Sequence, residues 1–169
     1  MARNIELKTR LTDPEAAQRI ALRLATEDLG LQEQLDTYFQ SRHGRLKLRE
    51  ITGRPAQLVW YARPDQQGPK ASDYLLVEVP QPDSLKAALS GALGVRCQVH
   101  KRRHVLLYHN VRIHLDEVTG LGRFLEFEAV VGGAIDDDAA QAQVDYLSAQ
   151  FHIQDEDRLC GSYAEMLGG

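Results

Sequence analysis

The chain has 169 residues, 43% of them apolar and 26% charged, a composition that predicts one globular domain over residues 1–169 and argues against a disordered chain. Its formal net charge of -4 excludes a protein that coats a nucleic-acid polymer through its overall field, so any anion site must be local. Cys97 and Cys160 stand far apart and outside any CxxC pattern, which excludes a zinc cluster or disulfide framework and predicts two reduced, buried thiols.

The first segment, Asn4-Ile-Glu-Leu-Lys-Thr-Arg10, alternates. Asn4, Glu6, Lys8 and Arg10 share one face, and Ile5 and Leu7 the other, so a strand is predicted over residues 5–10. A helix follows, opened by a capping box of Thr12 and Glu15 around Pro14, with Ala17, Ile20, Ala21 and Leu24 as its apolar stripe. Strands are predicted at 35–40, 45–51 and 58–63. The turn-rich run from Pro64 to Asp73 reads as a mobile loop, not a domain linker. A strand at 74–79 and a helix at 83–93 come next, the helix stopped by Gly94. Strands at 99–108, 111–118 and 124–131 complete a set of about eight. Two helices close the chain, one with a stripe of Ala140, Val144, Leu147 and Phe151, the other with Leu159, Tyr163, Met166 and Leu167. Each half reads as a strand, a helix and three strands. The amino terminus has no apolar run after its charge, and no stretch of about 18 apolar residues occurs, so a cytoplasmic protein without a membrane span is expected.

The helices must bury their stripes against the apolar sides of the strands. The charged sides then face bulk water if the sheet is open, or a central space if about eight strands close into a barrel. The residues favour the central space. Arg45, Lys47 and Arg49 put like charges at alternate positions of one strand, which is unfavourable unless an anion lies across them. Lys101 and Arg103 repeat the arrangement, and Arg63 and Arg112 add cations on other strands. Glu6, Asp116, Glu126 and Glu128 supply the hard oxygen ligands that Mg²⁺ or Mn²⁺ prefers. Cations on one wall and carboxylates on another suit a metal-bound polyphosphate. His114 shares the face of Arg112 and Asp116 and lines the cavity, with no role as a base. His100 and His104 are expected on the surface. Tyr38, Phe39, Trp60 and Tyr61 are read as packing residues. Gly120 and Gly122 are read as turn residues.

At these residues the chain resembles the CYTH superfamily, the class IV adenylate cyclases and thiamine triphosphatases also called triphosphate tunnel metalloenzymes. The resemblance rests on Asn-x-Glu-x-Lys at 4–8, Asp36-Thr-Tyr-Phe39, Leu46-Lys-Leu-Arg49, Lys101-x-Arg103, Arg112-Ile-His-Leu-Asp116, Gly120-Leu-Gly122, Phe124-Leu-Glu-Phe-Glu128 and Ser162-Tyr163. It implies an α+β fold, an eight-stranded antiparallel β-barrel with amphipathic helices packed outside. It also implies metal ligation of Mg²⁺ or Mn²⁺ by Glu6, Glu126 and Glu128, with Asp116 in addition. Lys8, Lys47, Arg49, Arg63, Lys101, Arg103 and Arg112 would bind phosphates. Glu6, Lys8 and Asp116 would serve catalysis. The expected ligand is a nucleoside or other organic triphosphate, or inorganic tripolyphosphate, with no nucleic-acid polymer or membrane as partner. The expected reaction is ATP to cyclic AMP and pyrophosphate; the alternatives are hydrolysis of thiamine triphosphate or tripolyphosphate, and binding without turnover. The family pattern has Glu where this chain has Asn4, a neutral and weaker ligand.

Overall fold

In a computed structural model that describes residues 1–168, eight antiparallel strands close into a barrel with three α-helices outside it and a fourth, of a single turn, at one end. In chain order the elements are β1 (Ala2–Arg10), α1 (Pro14–Leu24), β2 (Glu27–Phe39), β3 (Arg45–Ile51), β4 (Ala56–Ala62), β5 (Lys70–Val79), α2 (Pro82–Leu93), β6 (Val95–Tyr108), β7 (Val111–Val118), β8 (Gly122–Val131), α3 (Asp137–Gln150) and α4 (Tyr163–Met166). Around the barrel the strands run β1-β5-β4-β3-β2-β6-β7-β8. Exchanging β1 with β5, β2 with β6, β3 with β7 and β4 with β8 returns the same ring, so the strand-helix-three-strand order of each half is a two-fold repeat of topology. The halves meet where β1 pairs with β5 and β2 with β6.

The strand alternation sorts the residues by side. Ile5, Leu7, Leu106, Ile113, Leu125 and Phe127 form an outer core with Ala21 of α1 and Ala140, Val144 and Leu147 of α3. Leu85 and Leu89 of α2 lie on Phe39, Leu48, Ala56 and Val79. With most of the apolar sides covered from outside, the polar sides turn inward. Asn4, Glu6, Lys8, Lys47, Lys101, Arg103, His114 and Glu126 are all buried as a result.

Several local expectations need correction. The cap of α1 is Asp13, whose carboxylate accepts from Ala16 N at 2.9 Å, not Thr12; Pro14 begins the helix immediately after it, so Glu15 lies too early to close a box. Residues 70–73 belong to β5, and β2 starts as early as Glu27. The last predicted helix is a single turn, α4, and Leu159 stands before it in extended chain, its N–H donating to Lys8 O at 2.9 Å. Ser162 and Glu165 form the capping box of that turn. The cysteines are not buried: Cys97 is half-buried and Cys160 exposed. Among the described residues, no helix is long and apolar enough to cross a membrane.

Candidate active site

The interior encloses a cavity of about 300 Å³. Its floor is made by α4. The Tyr163 hydroxyl donates to Asp116 at 2.7 Å, its ring packs on Phe124, and the ammonium of Lys8 sits 3.9 Å and that of Lys101 5.4 Å from the ring centroid. Strand alternation then sets the order of residues away from this floor. On β1 it runs Lys8, Glu6, Asn4; on β6, Lys101, Arg103, Val105; on β7, Asp116, His114, Arg112; on β8, Phe124, Glu126, Glu128. Along the strands, Lys8, Lys101, Asp116 and Phe124 come first, Glu6, Arg103, His114 and Glu126 next, and Asn4, Val105, Arg112 and Glu128 last.

The ladder of Arg45, Lys47 and Arg49 does have an anion across it, and the protein supplies it. Asp36, in register with Arg49 on the neighbouring strand, accepts from Lys47 at 2.8 Å, from Arg49 Nε at 2.9 Å and from Lys101 at 3.2 Å. Its side chain has 0% exposure. Burial alone would raise its carboxyl, but Arg49, Lys101 and Lys47 outweigh that and hold it well below the ordinary range. Arg45 lies nearer α4 and pairs with Glu165 and Asp65. Arg103 forms a two-pronged pair with Asp116, both contacts at 2.6 Å, and reaches Glu126 at 2.8 Å. Asp116 thus stands behind the wall, orienting Arg103, with its side chain fully buried.

Glu6, Glu126 and Glu128 line the one cavity. Glu126 meets Lys8 at 2.6 Å and His114 Nδ1 at 3.4 Å, and Glu128 accepts from Arg112 at 2.9 Å. Ligand atoms of His114, Glu126 and Glu128 lie within 4.8 Å of one another. That set, two carboxylates and an imidazole that burial keeps neutral against His114's own partners, fits a divalent metal ion. The buried Asn4 Oδ1 has no hydrogen-bond partner and adds a bare oxygen on the same wall. Glu6 differs from its neighbours. Burial pushes its carboxyl upward, Arg63 opposes this, and Glu126 and Glu128 reinforce it. The Arg63 Nε lies 3.0 Å from Glu6 Oε1 but without hydrogen-bond alignment, so the pair is held by charge alone. Arg63 Nη1 donates instead to Cys160 O at 3.0 Å.

Seven expected phosphate ligands, Lys8, Lys47, Arg49, Arg63, Lys101, Arg103 and Arg112, all line this cavity. Sequence reasoning quoted Asp36 within a motif but gave it no role in the site, since its partners lie on two other strands. It read Tyr38 and Tyr61 as packing residues; both do pack in a buried cluster with Val59 and Tyr163, and they also line the cavity with Lys47 at 5.2 and 5.5 Å from their ring centroids. Phe39 and Trp60 do sit outside, Phe39 in the α2 core and Trp60 donating to His43 O. His100 is exposed, and His104 sits at the outer face against Asp28.

A family model for the CYTH domain matches residues 2–163. No curated protein matches the sequence. Solved structures share the fold. The PH1012 protein of Pyrococcus horikoshii OT3 superposes with a TM-score of 0.83 at 23% identity, over 96% of this chain and 98% of its own. A Vibrio parahaemolyticus protein provisionally described as an adenylate cyclase gives 0.80 at 23% identity, covering 98% of both chains. The Hippeastrum protein HpAC1, described as having a dominant triphosphatase activity, gives 0.66 at 15% identity over 97% and 93%.

Proposed function

The chain belongs to the CYTH family, and from that premise we propose that it is a divalent-metal-dependent enzyme of organic triphosphates that cyclises ATP to cyclic AMP and pyrophosphate. One observation carries the reading: buried cations and a cluster of carboxylates line a single cavity, with Lys8 and Lys101 against the Tyr163 ring at its floor. Lys8, Lys47 and Lys101 would receive the β- and γ-phosphates at the floor, which leaves the α-phosphorus beside Glu126, Glu128 and His114. A divalent ion held by those three residues, with Glu6 and Asn4 alongside, would stabilise the attacking and transferring oxygens. The 3′ oxygen then forms a bond to the α-phosphorus as the bond to pyrophosphate breaks. Glu6, its carboxyl already pushed upward by burial, would take the hydroxyl proton. Arg103 and Arg49 neutralise the charge that gathers on the leaving pyrophosphate. Asp116 acts through Arg103, and Arg63 through Glu6.

A second reading has its own observation. Arg112 stands opposite Glu128, and Arg54 also lines the cavity, so phosphates could be held at the end of the cavity away from α4 with the terminal phosphorus beside the carboxylates. Water would then attack that phosphorus, giving a triphosphatase. Phosphorus NMR of incubations with ATP, thiamine triphosphate and tripolyphosphate plus Mg²⁺ or Mn²⁺ separates the two. Cyclic AMP with pyrophosphate is the expected outcome; orthophosphate with a diphosphate product would replace it by the hydrolase. Binding of all three without turnover under either metal would refute both and leave a triphosphate-binding module in a cytoplasmic protein.

A further inference from the structure

Four donor contacts from three cations end on the carboxylate of Asp36, those of Lys47 Nζ, Lys101 Nζ and the Nε and Nη2 of Arg49. All three cations line the cavity, yet Asp36 itself has no exposed surface. The carboxylate therefore sits behind them, and each cation keeps further N–H groups for the cavity, because an ammonium has three and a guanidinium five. We propose that Asp36 is a positioning residue of the triphosphate site, fixing Lys47, Arg49 and Lys101 as one anion-binding surface.

The proposal rests on the triphosphate reading of this cavity. Its chemistry concerns a conflict within the wall. Lys101 is faced by Lys47 and Arg49 from β3, by Arg103 on its own strand, by Asp36 from β2, by Asp116 from β7 and by the ring of Tyr163. Burial and the neighbouring cations favour the neutral amine, and Asp36 is the anion in hydrogen-bond contact that opposes them. The balance leaves the Lys101 ammonium lowered to about 7. An added negative charge here strengthens anion binding: without it the cations repel one another, and one of them discharges. A carboxylate that merely competed with substrate for the same cations would act in the opposite sense.

Binding of inorganic tripolyphosphate in EDTA, measured by calorimetry from pH 6 to 9, decides between these. In the wild type, affinity should fall as pH rises through about 7, the point at which Lys101 loses its proton. Asp36→Asn should move that fall to lower pH by about one unit or more and weaken binding roughly tenfold at pH 8 while changing it little at pH 6. Lys101→Arg, which cannot discharge in this range, should flatten the profile, and in the Asp36→Asn background it should restore affinity at pH 8. The single Lys101→Arg variant keeps every charge, so its profile tests the idea even where Asp36→Asn does not fold. Equal or tighter binding by Asp36→Asn at both pH values, equal weakening at both, or an unflattened Lys101→Arg profile overturns the proposal. These outcomes leave the site reading intact, whereas a wild type that fails to bind tripolyphosphate at any pH overturns both.

Discussion

Asn4 shows how much a single interior atom decides. It is 4% exposed, with an amide oxygen that lacks a partner, and it lies two positions from Glu6 on the same face. An amide oxygen can ligate a divalent ion but adds no charge to attract one. Asn4→Glu should bury a further carboxylate beside Glu6 and cost on the order of 3 kcal/mol in EDTA. Mg²⁺ should recover that loss and raise the melting temperature more than in the wild type. A variant with the wild-type response to Mg²⁺ would put position 4 outside the ion's shell. Arg49 and Arg103 make a second contrast. Removing Arg49 leaves Asp36 with Lys47 and Lys101, so Arg49→Ala should weaken tripolyphosphate binding by about 1.5 to 3 kcal/mol and affect folding less. Arg103→Ala strips Asp116 of its two-pronged partner in full burial and should cost about 3 to 5 kcal/mol of stability as well. Urea unfolding and calorimetry on both variants check this, and equal stability losses would contradict it. These cations were legible in the sequence because they recur at every second position. Asp36 was not, because its partners come from β3 and β6 and no local spacing points to them.

Among the elements, those bounded by turn chemistry and filled by clean alternation were read from sequence with their observed limits: β3 and β7 coincide at both ends with the expected 45–51 and 111–118. The early part of β2 was invisible because its buried residues there, Gln32 and Gln34, are polar while the exposed side carries Leu31, so no apolar face marks the alternation. The start of β5 was hidden for the same reason. Lys70 and Ser72 are polar yet buried, and a turn-rich neighbourhood masked them. The last helix was overextended because Leu159, Tyr163 and Met166 pack into one cluster without sharing one helix. Its single turn still closes the barrel, and Tyr163 couples it to the site through Asp116. Tyr163→Phe keeps the ring and removes the hydrogen bond, so a loss of about 1 to 3 kcal/mol is expected. A melting temperature unchanged from the wild type would show that the floor is held by packing alone. The β2–β3 turn has a different constraint. Gly44 has φ of 66°, and a Cβ there would lie 2.6 Å from Tyr61 O, too close for any side chain, so Gly44→Ala must displace the turn.

Across the whole molecule, the barrel gathers charge where a globular protein ordinarily gathers hydrocarbon, and its stability must therefore follow pH on two sides. On the acid side burial would raise Glu128, but Arg112 and His114 outweigh it and lower the group from 4.5 to about 2; Asp36, Asp116 and Glu126 are likewise depressed. For a lowered carboxyl the unfolded chain binds the proton more readily, so its stabilisation is complete above about 4.5 and is lost as pH falls toward 2. Glu6, raised by burial, offsets part of this. On the alkaline side burial lowers Lys101 to about 7 and Lys70 to about 8 from an ordinary 10.5. Between those values the unfolded chain holds protons that the folded chain has shed, so stability rises with pH instead of falling. The metal-free protein should therefore show urea midpoints that climb from pH 2 to 4.5 and climb again from pH 7 toward 10.5. Lys101→Met should flatten the second climb, since it removes the more strongly shifted of the two amines. A wild-type midpoint that stays level or declines between pH 7 and 9 would mean that both ammonium groups remain fully charged in the fold. The cation floor would then be held by its carboxylates without a proton to lose.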